Sequence, residues 1–588
     1  MKKLYLMLSM LFAFGIAANA VPAKKLQKVI TLANGTQVSV ELRGDEYLSW
    51  WEGADGTAYR TTAADENVFE AFDLEAQKPA AAARRARTEQ GRVARLARVK
   101  NSLKGADDKM RGLGGDHITY KGVKKGLVVL VDFKNKKFAD GHDLEYYKNV
   151  INGKDFTDEG EGYVGSVRDY FLAQSNGQFE LDFDVVGPVT MSKNYGYYGN
   201  DGAYQKDEKV YEMIKEACDG IQDQVNLKDY DWDGDGEADQ VFFLYAGLGQ
   251  ASCGSAGTIW PHESQLRYWP CGVLSYSTGK INTYACANEL QPEGQNSTRY
   301  ISAGIGTICH EFSHCLGFAD MYDTSGGGAY GMAVFDVMDQ GSYNGNGFVP
   351  CNYTAFERIY AGWVEPIELD APATVEDMKS VSDYGRPFIM YNYKNTNEYF
   401  LMENRQNTGW DKGLYGCNGL LITHVNYVPS RWNNNTVNVI TGTGNNRIQC
   451  CTVVNADGSR EPSQTYSLQG DLYPYEVKGV TMNDEFTDDS EPAAKLYNKN
   501  SDNSYYLGIP ITQIKRSKGS ISFLVCGGEP SNVIDNTFNG VVDGINGVTV
   551  VKKTVDNRIY SIDGRYLGTD ASALGKGIYV VGGKKVVK

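Results

Sequence analysis

Several things are scarce in this sequence, and each scarcity removes a class of function. Of 588 residues only 6 are histidine and 16 are proline. The 11 cysteines include no Cys-x-x-Cys pair, so a thiolate zinc finger is excluded, and an odd count cannot pair completely within the chain. Beyond the first twenty residues no run of eighteen apolar residues occurs, so no transmembrane span is expected. Basic charge is short as well: 58 Lys and Arg face 73 Asp and Glu, for a net charge of −15. No basic face stands out after the first hundred or so residues, which argues against nucleic acid as a partner. No repeat of fixed period is evident.

What is abundant is glycine (66) and tyrosine (39), a composition suited to many strands joined by turns. The length calls for two to four domains. Lys2 and Lys3 precede an almost unbroken apolar stretch from Leu4 to Ala18, and Ala18-Asn19-Ala20 then offers small residues at −3 and −1 of a cleavage point. Residues 1–20 therefore read as a secretory signal peptide, which makes the chain secreted or held at the cell surface. Export permits disulfides, but their connectivity is not readable.

Residues 21–118 read as a propeptide. Its first part alternates like strands, and from about Ala76 an Ala- and Arg-rich stretch, "AQKPAAAARRARTEQGRVARLARVKNSLKG", reads as partly helical. Poor in large apolar residues, that stretch is expected to be exposed to proteases that cut after Arg or Lys, and an activating protease is an expected partner. Residues 119–365 form the next unit. "KGLVVLVDF" is a buried strand, "SVRDYFLAQS" has helical spacing, and "GQFELDFDVVGPV" and "DQVFFLYAG" are strands. Residues 366–527 read as β-rich, with "EYFLMENRQ", "GLLITHVNYV", "YYLGIPITQI" and "GSISFLVCG" as short strands. Residues 528–588 comprise a linker and a small β-type end.

The most informative stretch is "GTICHEFSHCLGFADMYD". His310 and His314 lie four apart, so on a helix they share a face and can grip one metal ion. Glu311 stands where its carboxylate can reach a water on that ion and act as general base, then as general acid. A third protein ligand is needed. Gly317 can end the helix in a left-handed conformation and turn the chain back, which favours Asp320, with Asp323 as the alternative. Given 6 histidines and 73 acidic residues, a chance HExxH is expected roughly 0.008 times in such a chain. His262, in "WPHES", is a candidate for lining the cleft, although a partly exposed hydrogen-bonding histidine is the preferred reading. Cys309 and Cys315 flank the motif on different helix faces, as core residues or as halves of separate disulfides.

HEFSHCLGFAD resembles the HExxHxxGxxD motif of the M6 (immune inhibitor A-like) secreted bacterial zinc metallopeptidases. "SVRDYFLAQSNGQF", "DWDGDGEADQVFFLYAG", "IWPHES" and "FDVMDQGSYNG" followed by "YTAFERIYAGW" are similar to that family too. The resemblance covers 126–363 well and the stretch to 527 more loosely. It implies Asp320 as third zinc ligand and Met338 as the structural methionine of the turn beneath the metal. It also implies a multidomain α+β protein with a metzincin-like zincin catalytic domain, a five-stranded twisted sheet plus an active-site helix, flanked by mostly-β domains. "GDEYLSWW" looks like the family's prosegments, and the group that would block the zinc in the proform is not readable.

A second metal is expected at Asp231, Asp233, Asp235, Glu237 and Asp239. These occupy positions 1, 3, 5, 7 and 9 of a calcium loop, with Gly236 at 6 and Glu237 offering its backbone carbonyl. Position 12 is Phe242 rather than Glu, so this is no complete EF-hand, and calcium here would be structural. The tail "IYSIDGRYLG…LGKGIYVVGGKKVVK" resembles C-terminal sorting domains of the type IX secretion pathway. The function expected is a secreted, zinc-dependent endopeptidase acting on extracellular proteins. The rivals are a catalytically inactive surface protein that binds host protein or glycan through its β-rich domains, and an enzyme of similar helix motif acting on something other than peptides.

Overall fold

The computed structural model describes residues 18–19, 21–62, 65, 67–103, 112–113, 118–158, 160–202, 206–295, 297–329, 331–442, 447–463 and 468–538, with 559–561, 566–568, 575–581 and 584–587 near the C-terminus. The expected signal peptide thus lies outside the described residues except for Ala18 and Asn19. Two compact units divide at Phe538 and Asn539.

After β1 (Ala18–Asn19), the alternating residues close into a barrel of β2 (Gln27–Leu32), β3 (Gln37–Gly44), β4 (Ser49–Gly53), β5 (Ala58–Thr61) and β6 (Val68–Ala71). The long helix α1 (Leu74–Leu103) follows. The structure corrects one expectation here. Ala81, Arg85, Thr88, Glu89, Arg92, Arg95, Leu96 and Val99 are buried, at the spacing of one helix face. Arg85, Arg92 and Arg95 are not exposed protease targets; they are packed against the rest of the molecule, bonded to its carbonyls and carboxylates, while Arg87 is exposed.

The central sheet is built from β7 (Gly122–Asp132), β8 (Phe179–Thr190), β10 (Val241–Leu248), β11 (His262–Gln265) and β14 (Thr283–Pro292). The strand order is β11-β14-β10-β7-β8, with β1 added outside β11 and β15 (Tyr300–Ser302) pairing with β14. β8, β7, β10 and β14 run parallel, and β11 is antiparallel to β14. Leu127 to Val131 is a continuous apolar run because both faces of this sheet are covered. One face carries α2 (Leu144–Asn152) and α3 (Val167–Gln174), which starts at a capping box of Ser166 and Asp169. The other face packs α4 (Tyr195–Tyr198) and α5 (Val210–Ile221). β9 (Glu237–Ala238), β12 (Leu274–Tyr276) and β13 (Gly279–Ile281) make a small side sheet, and α6 (Gln250–Cys253) follows β10 directly.

α7 (Gly306–Cys315) holds the histidines, and every residue in it is buried. α8 (Ala355–Tyr360) then leads into the β-rich region. There a five-stranded sheet includes Glu398–Gln406 and Asn418–Asn426, and a three-stranded sheet joins Ala373–Met378 with Ile511–Ser517 and Ser520–Val525. Chain pairing in this region continues to Val533 and Thr537, which bridge Thr374 and Gly385. The C-terminal unit contains a four-stranded sheet of Ile559–Ser561, Tyr566–Gly568, Ile578–Val581 and Lys584–Val587. Among the described residues no helix is long and apolar enough to cross a membrane.

Candidate metal centre

The centre is made by one turn of α7 and the reversal that follows it. Gly317 has φ +98°, a left-handed conformation that only glycine adopts without strain, and its N–H donates to the His314 carbonyl (2.9 Å). The reversal carries Asp320 back beside the two histidines. His310 Nε2 and His314 Nε2 are 3.2 Å apart, and Asp320 Oδ1 lies 3.2 Å from the first and 3.4 Å from the second.

Those three distances identify what the trio can hold. Tetrahedral ligands at zinc bond lengths sit about 3.3 Å from one another. His310 Nδ1 is 2.7 Å from the Val337 carbonyl and His314 Nδ1 is 2.9 Å from that of Phe318, so each ring carries its proton on Nδ1. Both Nε2 atoms are then acceptors, and they face a carboxylate oxygen that is also an acceptor with no hydrogen-bond donor of its own. Three buried acceptors converging with no donor among them form an arrangement that a cation relieves. The donor set, two imidazoles and one carboxylate, suits zinc.

Sequence reasoning missed the residue that orients Asp320. Asn435, more than a hundred positions away in the β-rich region, donates from Nδ2 to Asp320 Oδ2 (2.5 Å) and accepts from the Asp320 N–H (2.7 Å). Nothing in the sequence around Asn435 signals this. Asp323, the alternative ligand, instead accepts from Ser325 and caps a turn. Met338 is fully buried, and its carbonyl accepts from Met321 N–H, next to the Val337 carbonyl that holds His310.

Glu311 is fully buried, and burial pushes its carboxyl well above the usual range. Its Oε1 accepts a 2.8 Å hydrogen bond from Val21 N–H. His262 is not partly exposed as expected. It is buried, with Nδ1 2.7 Å from the Trp260 carbonyl and Nε2 2.9 Å from Tyr284 OH, and burial lowers its pKa to about 4. Cys309 and Cys315 are buried core residues, and all eleven cysteines are free thiols.

α1 caps this centre. Arg92 donates to the Gly317 carbonyl (2.9 Å) and the Trp432 carbonyl (3.0 Å), and Arg95 to the Cys315 carbonyl (2.5 Å), so cations of α1 satisfy the C-terminal end of α7. Gly91 of the same helix crosses the edge strand so closely that a Cβ there would meet Tyr268 OH at 2.4 Å and Gln265 Oε1 at 2.7 Å.

The second candidate centre has a different character. Carboxylate oxygens of Asp231, Asp233 and Asp239 lie within 4.8 Å of one another. Asp231 accepts from the N–H groups of Gly234, Asp235 and Gly236, as a tight acidic loop does. Asp235 pairs with Arg98 of α1 (2.8 Å), and Asp239 lies 3.7 Å from Arg95. The Glu237 side chain turns away to Arg267 and Asn282. Burial raises Asp239 to about 7, partly offset by Arg95.

Residues 121–364 match the catalytic domain of the immune inhibitor A peptidases, M6. That stretch, about two fifths of the chain, carries the likeness to the M6 metallopeptidases. Similar proteins include the pre-pro-metalloprotease PrtV of Vibrio cholerae serotype O1, 26% identical over 319 residues, which is 45% of this chain and 34% of that protein. Immune inhibitor A of Bacillus thuringiensis subsp. alesti is 26% identical over 294 residues, 42% of this chain and 41% of that one. A putative secreted metallopeptidase of Arthroderma benhamiae is 23% identical over 239 residues, 34% of this chain and 32% of its own. The matched region thus spans about two fifths or less of each relative's length.

Proposed function

We propose that this M6 chain is a zinc-dependent endopeptidase that is exported as a zymogen and hydrolyses peptide bonds of extracellular proteins. The observation that carries this reading is the convergence of His310 Nε2, His314 Nε2 and Asp320 Oδ1, three buried acceptors at 3.2–3.4 Å, beside a buried glutamate. His310, His314 and Asp320 would hold the ion. Bound there, zinc would supply Lewis acidity to water and to a substrate carbonyl. Glu311 then takes the proton from the attacking water. Its raised affinity for protons suits it to keep that proton and deliver it to the leaving nitrogen. Asn435 and the Val337 and Phe318 carbonyls keep the three ligands aimed.

The sheet with its antiparallel edge strand, α7 and the buried Met338 are read as a metzincin-like catalytic domain spanning 119–365, with the β-rich region 366–527 behind it. Residues 21–118 are read as the propeptide. The names of two similar proteins, one a pre-pro-metalloprotease and another a putative secreted metallopeptidase, support export in latent form. Asp231, Asp233, Asp235, Glu237 and Asp239 are read as a structural calcium loop. The C-terminal strands are read as a type IX-like sorting domain.

The test is casein hydrolysis by the zinc-loaded protein after limited cleavage of the prosegment, with zinc measured in the same samples. Glu311→Ala is expected to lose about 10²–10⁴-fold in rate while retaining zinc. A wild type that holds zinc and cuts no protein after prosegment cleavage refutes the peptidase reading.

A further inference from the structure

The residues directly after the expected leader run through the metal centre's cleft, and most backbone groups of Val21–Lys24 bond to residues around it. Val21 N–H donates to Glu311 Oε1 (2.8 Å), and the Val21 carbonyl accepts from Trp260 Nε1 (3.1 Å). The Pro22 carbonyl accepts from Tyr343 OH (2.8 Å), and that of Ala23 from Gln340 Nε2 (3.4 Å). Ala23 N–H donates to the Gly44 carbonyl (2.8 Å) and Lys24 N–H to the Ala251 carbonyl (2.9 Å). Lys24 Nζ reaches Gln291 Oε1 at 2.6 Å. The Val21 side chain is 0% exposed, in an apolar cluster with Trp260, Ala251 and Trp51. Just before it, Ala18 and Asn19 pair antiparallel with Ser264 and Glu263 on the edge strand β11.

The direction of this run can be read from the chemistry of the glutamate. A general acid in peptide hydrolysis stands against the nitrogen that leaves. Here the nitrogen against Glu311 belongs to Val21, so the residues from Val21 onward occupy the side of the cleft that takes the chain following a cut bond. The pairs on β11 occupy the side that takes the chain preceding it, as a strand added to a sheet edge.

We propose that Val21–Lys25 is a built-in, product-like inhibitor of the centre, and that its mode of binding marks the substrate preference: a medium-sized apolar residue directly after the cut bond. The proposal rests on the peptidase reading. With the leader removed after Ala20, Val21 is the first residue and no bond remains at the centre to hydrolyse, so the strap occupies the cleft without being consumed. Its many backbone contacts and the barrel immediately behind it supply a high effective concentration. Trp260 and Tyr343 are positioning residues, donating to carbonyls that a substrate would present in the same places.

The test uses the full zinc-loaded chain, with two readouts before any prosegment cleavage: the rate of zinc extraction by 1,10-phenanthroline and the rate of casein hydrolysis. Val21→Asp puts a charge into the apolar cluster and is expected to speed extraction about tenfold or more and to release casein hydrolysis. Rates equal to wild type in both readouts overturn the proposal. Should Val21→Asp fold poorly, a second measurement decides: the peptide Val-Pro-Ala-Lys-Lys-Leu is added to the wild type after prosegment cleavage. Competitive inhibition below about 1 mM, absent for the scrambled sequence, supports the strap, and no inhibition refutes it. If the chain is no peptidase, casein stays intact in every variant while zinc extraction still reports on Val21, so the two failures are distinguishable.

Discussion

The two candidate metal centres differ in whether their oxygen and nitrogen atoms have any other partner. In the histidine centre the ligands are 0–1% exposed, their outer atoms are fixed by the Val337 and Phe318 carbonyls and by Asn435, and the inner atoms face only one another. In the acidic loop, Asp231 already accepts three backbone N–H groups of its own loop, and Arg95 and Arg98 lie on Asp239 and Asp235. The inner atoms of the first centre gain a donor only from a bound cation or a proton on a ring nitrogen. The second has donors already, supplied by its own backbone and by Arg95 and Arg98 of α1. Metal dependence should therefore be strong at the first and modest at the second.

The comparison breaks if the fixed outer contacts of the histidine centre do not matter. Asn435→Ala removes both bonds to Asp320, and zinc affinity, measured by competition with a chromophoric chelator, should fall about 10–100-fold. An unchanged affinity would make the centre no better organised than the loop. At the acidic loop, free calcium tenfold above its dissociation constant adds only about 1.4 kcal/mol. EGTA should thus lower the thermal midpoint of the full chain by a few degrees, and no shift would count against calcium there.

The smallest effect concerns a charged contact at neither centre. His142 sits between Glu289 (2.8 Å) and Glu161 (3.2 Å). Burial opposes its charge, but the two glutamates outweigh this and raise its pKa from 6.5 to about 9. A raised folded-state pKa means stabilisation that is complete below the unfolded value near 6.5 and lost as pH rises through about 9. The thermal midpoint of wild type should decline across that window more steeply than that of His142→Gln, and parallel curves would contradict the assignment.

What the sequence revealed follows the same division. α7, Gly317 and Asp320 were legible because metal chemistry demands particular residue types at particular spacings. The strands β7 and β10 were legible from apolar runs covered on both faces. α1 was misread because its buried face is made of Arg85, Thr88, Glu89, Arg92 and Arg95, which a hydrophobic period does not register. They are buried because carbonyl ends of α7, and carboxylates elsewhere, await them, a fact of tertiary structure alone. Asn435 was invisible for the same reason. The Val21–Lys25 strap is short and extended, with no periodicity to detect, and the small residues before it read only as a cleavage point.

The most direct test of the account is the zinc content of the full chain, measured by mass spectrometry of the metal after exhaustive dialysis, for wild type and for Asp320→Ala. The account predicts one zinc per wild-type chain and essentially none in the variant, with the fold retained by circular dichroism. A variant that keeps its full complement of zinc would contradict it.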